Sequence, residues 1–328
     1  MSKLFPLLRF DPDETPRSWI ARMAAFHMRG SVADFLHDLG FGLLEIPLGQ
    51  PEELRRLCTL AGQEAAPVLV NAIRHGKRGV GELRGAHFVD GLLGSDELRF
   101  CPACLVEDDR RAMLADQHPE IWCPEIWRRE RLIWRIGCIR VCPGHRIRLI
   151  TRIRPATGDG IGAFGSAVPE TTTQLSALAS AAVQEPPGGL QDHAVSWLNG
   201  DLDPSGVGAV PLDLAIRQSR LLGTALAFGP QVNFHELSDG ETHRAEATGW
   251  TFVAGGEAGV QDALDSLAAR SPQGDHPLGH RLWLTYGYLM AEAETLPRDT
   301  WLRRALDQQI HAEKRRAGEM KAQAAATN

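Results

Sequence analysis

Cys101-Pro-Ala-Cys104 and Cys142-Pro-Gly-His145 are the residues of this chain best suited to chemistry. Each is a pair of donors two residues apart, and the Pro and Gly between them suit the bend that turns both donors toward one ion. Together they supply three thiolates and one imidazole. That is a closed tetrahedral set, which holds zinc structurally and leaves no position for a catalytic water. The 37 residues between the pairs exceed a standard finger spacing, so the match lies in ligand type. One structural Zn2+ on Cys101, Cys104, Cys142 and His145 is expected. Cys123 and Cys138 lie between the pairs, near His118 but without a paired spacing, and read as buried, inert thiols. Cys58, on an apolar helix face, reads as core. Five of the six cysteines fall within 42 residues, which in a cytoplasmic chain favours metal over disulfides.

Enzymatic readings find little support. A zinc deaminase needs H-x-E before P-C-x-x-C. Here His118-Pro119-Glu120 follows the cysteine pair, and Phe100 precedes Cys101. There is no phosphate loop of the G-x-x-x-x-G-K-[ST] type and no H-E-x-x-H. The carboxylates Glu107, Asp108 and Asp109 lack a partner at readable spacing. No catalytic residue is assigned.

The net charge is -6, so any nucleic-acid contact must come from a local patch. Residues 128–154 offer one, with nine arginines against the single acid Glu130. The candidate nucleic-acid contacts are Arg128, Arg129, Arg131, Arg146, Arg148 and Arg152, joined by Arg74, Lys77 and Arg78 further upstream. The alternative for the patch is internal pairing to acids such as Glu107, Asp108 and Asp109.

The elements that must carry these residues are mainly helical. Trp19, Met23 and Phe26 recur at helical spacing after Pro16. Ser31 reads as an N-cap and Gly40 as a helix stop. Leu54, Leu57, Cys58 and Ala61, then Gly62, then Ala66, Leu69, Val70 and Ile73 read as a helix-turn-helix whose second helix ends at Arg74–Arg78. Trp122, Ile126, Trp127, Leu132, Ile133, Trp134 and Ile136 read as a helix-like stretch over the metal. Residues 1–96 are expected to form a helical, helix-turn-helix-like domain, 97–154 a small Cys3His zinc-binding domain, 155–170 a Gly/Pro-rich linker, and 171–328 a C-terminal helical domain. A second Pro/Gly break falls at residues 186–189. The segment around Trp283, Tyr286, Tyr288 and Leu289 reads as a buried helix, and the tail from Glu313 as frayed. No apolar run is long enough to span a membrane, and no secretory signal opens the chain, so a cytoplasmic location is expected.

Phe100-Cys101-Pro-Ala-Cys104-Leu105-Val106-Glu107-Asp108, followed by the Trp-bearing stretch and Val141-Cys142-Pro-Gly-His145, resembles the TniQ family. Pro16-Arg17-Ser18-Trp19-Ile20-Ala21-Arg22 is similar to that family's opening S-W-x-x-R motif. The two segments occur in the family's order and cover roughly residues 1–150. The resemblance implies a non-catalytic adaptor for target selection in DNA transposition. Such an adaptor links target DNA, or a CRISPR effector bound to it, to an AAA+ ATPase that recruits the transposase. Many members carry a further C-x-x-C after the histidine. This chain has no cysteine after Cys142, so no second finger is expected. The alternative reading is a zinc-stabilised DNA-binding transcriptional regulator. The C-terminal half is expected to hold a second partner or a second copy of the chain.

Overall fold

The computed structural model describes residues 4, 8–42, 46, 49–76, 80–89, 92–93, 97–115, 123–153, 163–271 and 276–327. The chain divides into two compact units, Met1–Pro187 and Gly188–Asn328. The division falls at the second Pro/Gly break.

Unit 1 begins with helix α1 (Pro16–Phe26). Thr15 caps it by accepting from the Ser18 N–H, and Pro16 occupies the first position, where its missing N–H costs nothing. Trp19, Ile20 and Met23 are fully buried. They pack with helix α2 (Val32–Asp38), whose N-cap is Ser31 and which stops at Gly40, φ +75. Helix α3 (Pro51–Ala61) buries Leu54, Leu57, Cys58 and Ala61 and ends at Gly62, whose φ of +63 makes the turn. Helix α4 (Ala65–Val70) follows. The sequence reading of this second helix needs three corrections. Its buried residue is Val68, whereas Val70 is 49% exposed. The helix also stops four residues early, with Pro67 in its first turn. Arg74 consequently lies on strand β1 (Arg74–His75), not on a helix end.

Strands β2 (Gly81–Leu83) and β3 (Ala86–Phe88) join β1 in a three-stranded antiparallel sheet. Strand β4 (Glu97–Phe100) leads into helix α5 (Pro102–Ala115) and pairs with β5 (Ile150–Ile153). Between them the expected helix-like stretch is mostly irregular. Among its described residues only α6 (Pro124–Trp127) and a 3-10 turn, Leu132–Arg135, are helical. Residues 128–131 run extended and bridge Glu14 through Arg131. Trp122 and His118 lie outside the described residues.

Helices α7 (Ala163–Ala167) and α8 (Thr172–Ala181) complete the unit. They fall where a linker and the start of a C-terminal domain are expected, yet their contacts belong to unit 1. Phe164 stacks on Trp134 at 6.1 Å, and the Thr172 hydroxyl donates to Asp109 at 2.7 Å.

Among its described residues unit 2 holds helices joined by loops and no strand. Its helices are α9 (Gly189–Asn199), α10 (Leu212–Phe228), α11 (Asp239–Val253), α12 (Gly256–Arg270), α13 (Leu278–Tyr286), α14 (Tyr288–Ala293) and α15 (Trp301–Thr327). Leu222, Val253, Val260, Leu264, Tyr286, Leu289 and Leu302 share its core. Helices α10 and α11 approach to backbone contact. A Cβ on Gly223 would stand 1.7 Å from the Ala245 carbonyl oxygen, and one on Gly249 1.8 Å from that of Ser219. The single buried helix expected around Trp283 is two helices, broken at Gly287 with φ +44, and Trp283 is 39% exposed. The tail expected to fray instead continues α15 to Thr327. Its composition favours helix, and Arg316 pairs with Glu313 one turn away. No described helix is long and apolar enough to cross a membrane.

Candidate metal centre

Strand β4 delivers Cys101 to the start of α5. The Cys101 carbonyl accepts from the Leu105 N–H, so Cys101 stands at the helix N-cap with Pro102 after it and Cys104 in the first turn. The partial positive charge of a helix N-terminus favours thiolates there. The second pair sits at the tip of a hairpin. Val141 bridges Arg148, the Cys142 N–H donates to Ile147, and Leu149 donates to Arg140. Arg146 closes the tip with φ +55, donating its N–H to the Cys142 carbonyl at 2.7 Å. Phe100 is register partner to Ile150. The β4–β5 pairing therefore brings the two ends of the long intervening segment side by side, which is how a 37-residue loop still closes one site.

The four donors lie within 4.8 Å of one another. Nδ1 of His145 is 3.6, 3.3 and 3.5 Å from the sulfurs of Cys101, Cys104 and Cys142, and Cys104 and Cys142 are 3.5 Å apart. A tetrahedral ion with Zn–S bonds near 2.3 Å has donor–donor edges of about 3.8 Å, so three sulfurs and one nitrogen at this spacing fit a four-coordinate ion. The cysteines are buried. Hydrogen bonds from the Cys101 and Cys104 thiols hold the Cys142 thiol far below the usual range, while hydrogen bonding with Cys101 and Cys142 pushes Cys104 up. One proton set shared among three sulfurs is what a cation would displace. No other group of three or more metal-ligating side chains occurs among the described residues.

Glu107 is a contact that spacing alone did not reveal as functional. It lies one helical turn after Cys104 and places Oε1 3.1 Å from Nε2 of His145. Cys138 is buried as expected, but Cys123 is not: it lies half-buried and donates to Glu125 at 3.2 Å, on chain that no apolar element of the described residues covers fully. Cys58 lies in the unit 1 core, where burial pushes its thiol up to about 11.

The arginine-rich segment packs inward at its start. Arg128 makes a two-pronged pair with Asp109, both bonds 2.8 Å, and donates to the carbonyls of Pro169 and Glu170. Arg129 pairs with Asp108 at 2.6 Å and with Asp11, and Arg131 reaches Asp108 at 3.0 Å while lying over the Trp134 ring. Arg135 meets Glu130 at 3.3 Å. Burial pushes Asp108 up against these arginines and pulls Arg129 down to about 10. Arg146, Arg148 and Arg152 are exposed; Arg148 shares an ion pair with Glu185 at 3.1 Å. Arg74 pairs with Glu82 at 3.1 Å. Lys77 and Arg78 lie outside the described residues.

The opening motif closes this arrangement. Trp19 donates to the Leu8 carbonyl at 2.8 Å inside the core. Ser18 accepts from the Glu130 N–H at 2.9 Å and donates to Glu14 at 3.2 Å. Arg22 donates to both oxygens of Glu14, at 2.7 and 2.8 Å, and through Nε to the Ile126 carbonyl at 2.7 Å. The Thr15 hydroxyl donates to Glu130 at 3.0 Å. Burial outweighs the pull of Arg22 and lifts Glu14 to about 7. Ser18 and Arg22 thus fasten α1 to the segment between the two donor pairs.

Comparison with protein families now finds a match. The family model described as TniQ covers residues 6–149, so that stretch is a TniQ family domain, the mark of a transposition-associated protein. No curated protein matches the chain.

Proposed function

We propose that this chain is a non-catalytic adaptor of DNA transposition that links a DNA target, or a CRISPR effector bound to that target, to an AAA+ ATPase that recruits the transposase. One observation carries the reading: the TniQ family domain contains the Ser18-Trp19-x-x-Arg22 helix and both donor pairs, fastened to each other within one compact unit. The donor set supports a structural Zn2+, since three thiolates and an imidazole suit that ion and leave no open coordination position. Bound there, the ion would fix the helix start at Cys101 against the hairpin tip at His145.

The surface proposed for nucleic acid is narrower than the arginine-rich segment. Arg128 and Arg129 are buried, Arg131 is largely covered, and the three are paired with Asp109, Asp108 and Asp11. The proposal therefore rests on Arg146, Arg148 and Arg152, with Arg74. Lys77 and Arg78 remain in it on sequence grounds alone. The exposed pair of Arg148 with Glu185 is weak enough to exchange for a phosphate. A regulator of transcription is the second reading, favoured by the α3–α4 pair. In it, DNA would again meet these arginines, because the exposed residues of α4 include Ala66 and Val70 and no cation.

The test is co-purification of the full chain with an AAA+ transposition ATPase. Co-elution that Cys142→Ser abolishes is expected. No association with the ATPase, together with a turnover that survives Cys142→Ser, would overturn the reading. Replacing Arg146, Arg148 and Arg152 with Ala should flatten the salt dependence of DNA binding. An unaltered slope removes them from the surface.

A further inference from the structure

We infer that Glu107 is the positioning residue of the metal centre: it fixes His145 as an Nδ1 ligand and sets how tightly the site holds its ion. The inference rests on the reading of the four-residue cluster as a metal site. Nδ1 faces the three sulfurs at 3.3–3.6 Å, and the opposite nitrogen, Nε2, lies 3.1 Å from the Glu107 carboxylate. A neutral imidazole carries one lone pair and one N–H, so the nitrogen that donates its proton decides which nitrogen is left to coordinate. A carboxylate at Nε2 stabilises the tautomer whose Nδ1 is free for metal. It also draws on the N–H and makes the ring a stronger donor.

Helix α5 explains why this partner is available. Cys104 and Glu107 are three residues apart on it, so they share a face. One helix then supplies a ligand directly and braces another that arrives from the hairpin. Glu107 also meets Arg111 at 3.9 Å, a looser contact than the one to His145. Charge is balanced from the buried side. Three thiolates and a neutral imidazole around a divalent ion carry a net charge of -1, and Arg131 lies close enough for its charge to act on Cys104 and Cys142. If Glu107 were only half of a surface ion pair, its loss would leave metal affinity alone.

The experiment uses the full chain and zinc. Affinity is measured by competition with a chromophoric chelator for the wild type, Glu107→Ala, Glu107→Gln and Arg111→Ala. Long-range proton–nitrogen correlation then reads the His145 ring in the zinc-loaded wild type. The ring should carry its proton on Nε2 and the metal on Nδ1. Glu107→Ala should lose roughly 10–100-fold in affinity, Glu107→Gln less because its amide oxygen still accepts, and Arg111→Ala nothing. Coordination through Nε2, or a Glu107→Ala chain that binds zinc as tightly as wild type, overturns the inference. If Glu107→Ala does not fold, the wild-type ring spectrum and Glu107→Gln decide. A wild-type chain that takes up no zinc overturns the metal-site reading itself, a result distinct from unchanged affinity in the variant.

Discussion

The two units of this chain solve stability in different ways. Unit 2 is made of regular helices, and its core is a run of Leu, Val, Ala and aromatic side chains meeting across them. Unit 1 has a comparable apolar core under α1–α4. Around the irregular chain between the donor pairs, however, the interior holds Glu14, Arg22, Asp108, Asp109, Arg128, Arg129, Glu130 and Arg135 alongside the Cys3His cluster. A helix satisfies its own backbone polar groups and needs only an apolar face to dock. An extended segment such as residues 128–131 satisfies fewer, so side chains must supply the partners. Irregular geometry in unit 1 is held by directional contacts, each of which is costly to leave half made.

The largest expected effect breaks this contrast at the metal. With a structural zinc bound, its contribution to folding is on the order of 10–16 kcal/mol. A strong chelator added to the full chain should therefore collapse amide-exchange protection across residues 97–153 and leave α10–α12 protected. Equal protection with and without chelator would show that unit 1 does not depend on an ion. Next comes Arg128→Met, which strands Asp109 at zero exposure and should cost about 3–5 kcal/mol in unit 1. The double variant Arg128→Met with Asp109→Leu should recover much of that loss. If it is as unstable as the single variant, the pair is not the reason Arg128 is buried.

In unit 2 the corresponding weak point is backbone proximity. Gly249→Ala pushes a methyl into the Ser219 carbonyl of α10, and overpacking of this kind should cost about 1–3 kcal/mol. Gly279→Ala on α13 meets nothing within 4 Å and should stabilise by several tenths of a kcal/mol. Urea melts of the two variants with opposite signs would support the packing argument. A tolerated Gly249→Ala would show that α10 and α11 can part without penalty.

What the sequence disclosed follows the same divide. Helical periodicity made α1 and α3 readable, since Trp19 and Leu54 open runs at the spacing of a buried face, and α2 was readable from its cap Ser31 and its stop Gly40. The donor pairs were readable because the bend of each knuckle is local. The pairing of Arg128 with Asp109 was open as one of two fates for the arginines, and only tertiary contacts decide it. Glu107 was visible beside Cys104, but its role depends on a histidine 38 residues away. The register of α4 and the break at Gly287 turned on single residues that propensity does not resolve. The assignment of α7 rests on the contact of Phe164 with Trp134, and that of α8 on the contact of Thr172 with Asp109 and of Glu170, just before the helix, with Arg128, contacts that a composition-based linker reading cannot see.

The smallest expected effect sharpens the comparison through pH. His193 on α9 is buried with its ring 4.9 Å from that of Trp250 on α11, and its Nε2 has no hydrogen-bond partner among the described residues. Burial pulls its pKa below the ordinary value of 6.5. Above 6.5 the ring is neutral in both folded and unfolded chains, so it contributes no pH dependence. As the pH falls below 6.5 the unfolded chain takes up a proton that the folded unit resists, and stability is lost until the folded value is reached, at no more than about 1.4 kcal/mol per pH unit. His193→Phe keeps a ring against Trp250 and removes the titration, so its unit 2 should lose less stability than wild type between pH 7 and pH 5. Added zinc should leave that difference untouched, because the metal ligands are all in unit 1. Unit 1 should instead lose its ion in acid as the thiolates and His145 take up protons, with a midpoint that moves to lower pH as zinc is raised. Identical acid slopes for wild type and His193→Phe would mean that the buried ring finds a partner when charged. A zinc-dependent slope in unit 2 would mean that the two units do not keep their stabilities apart.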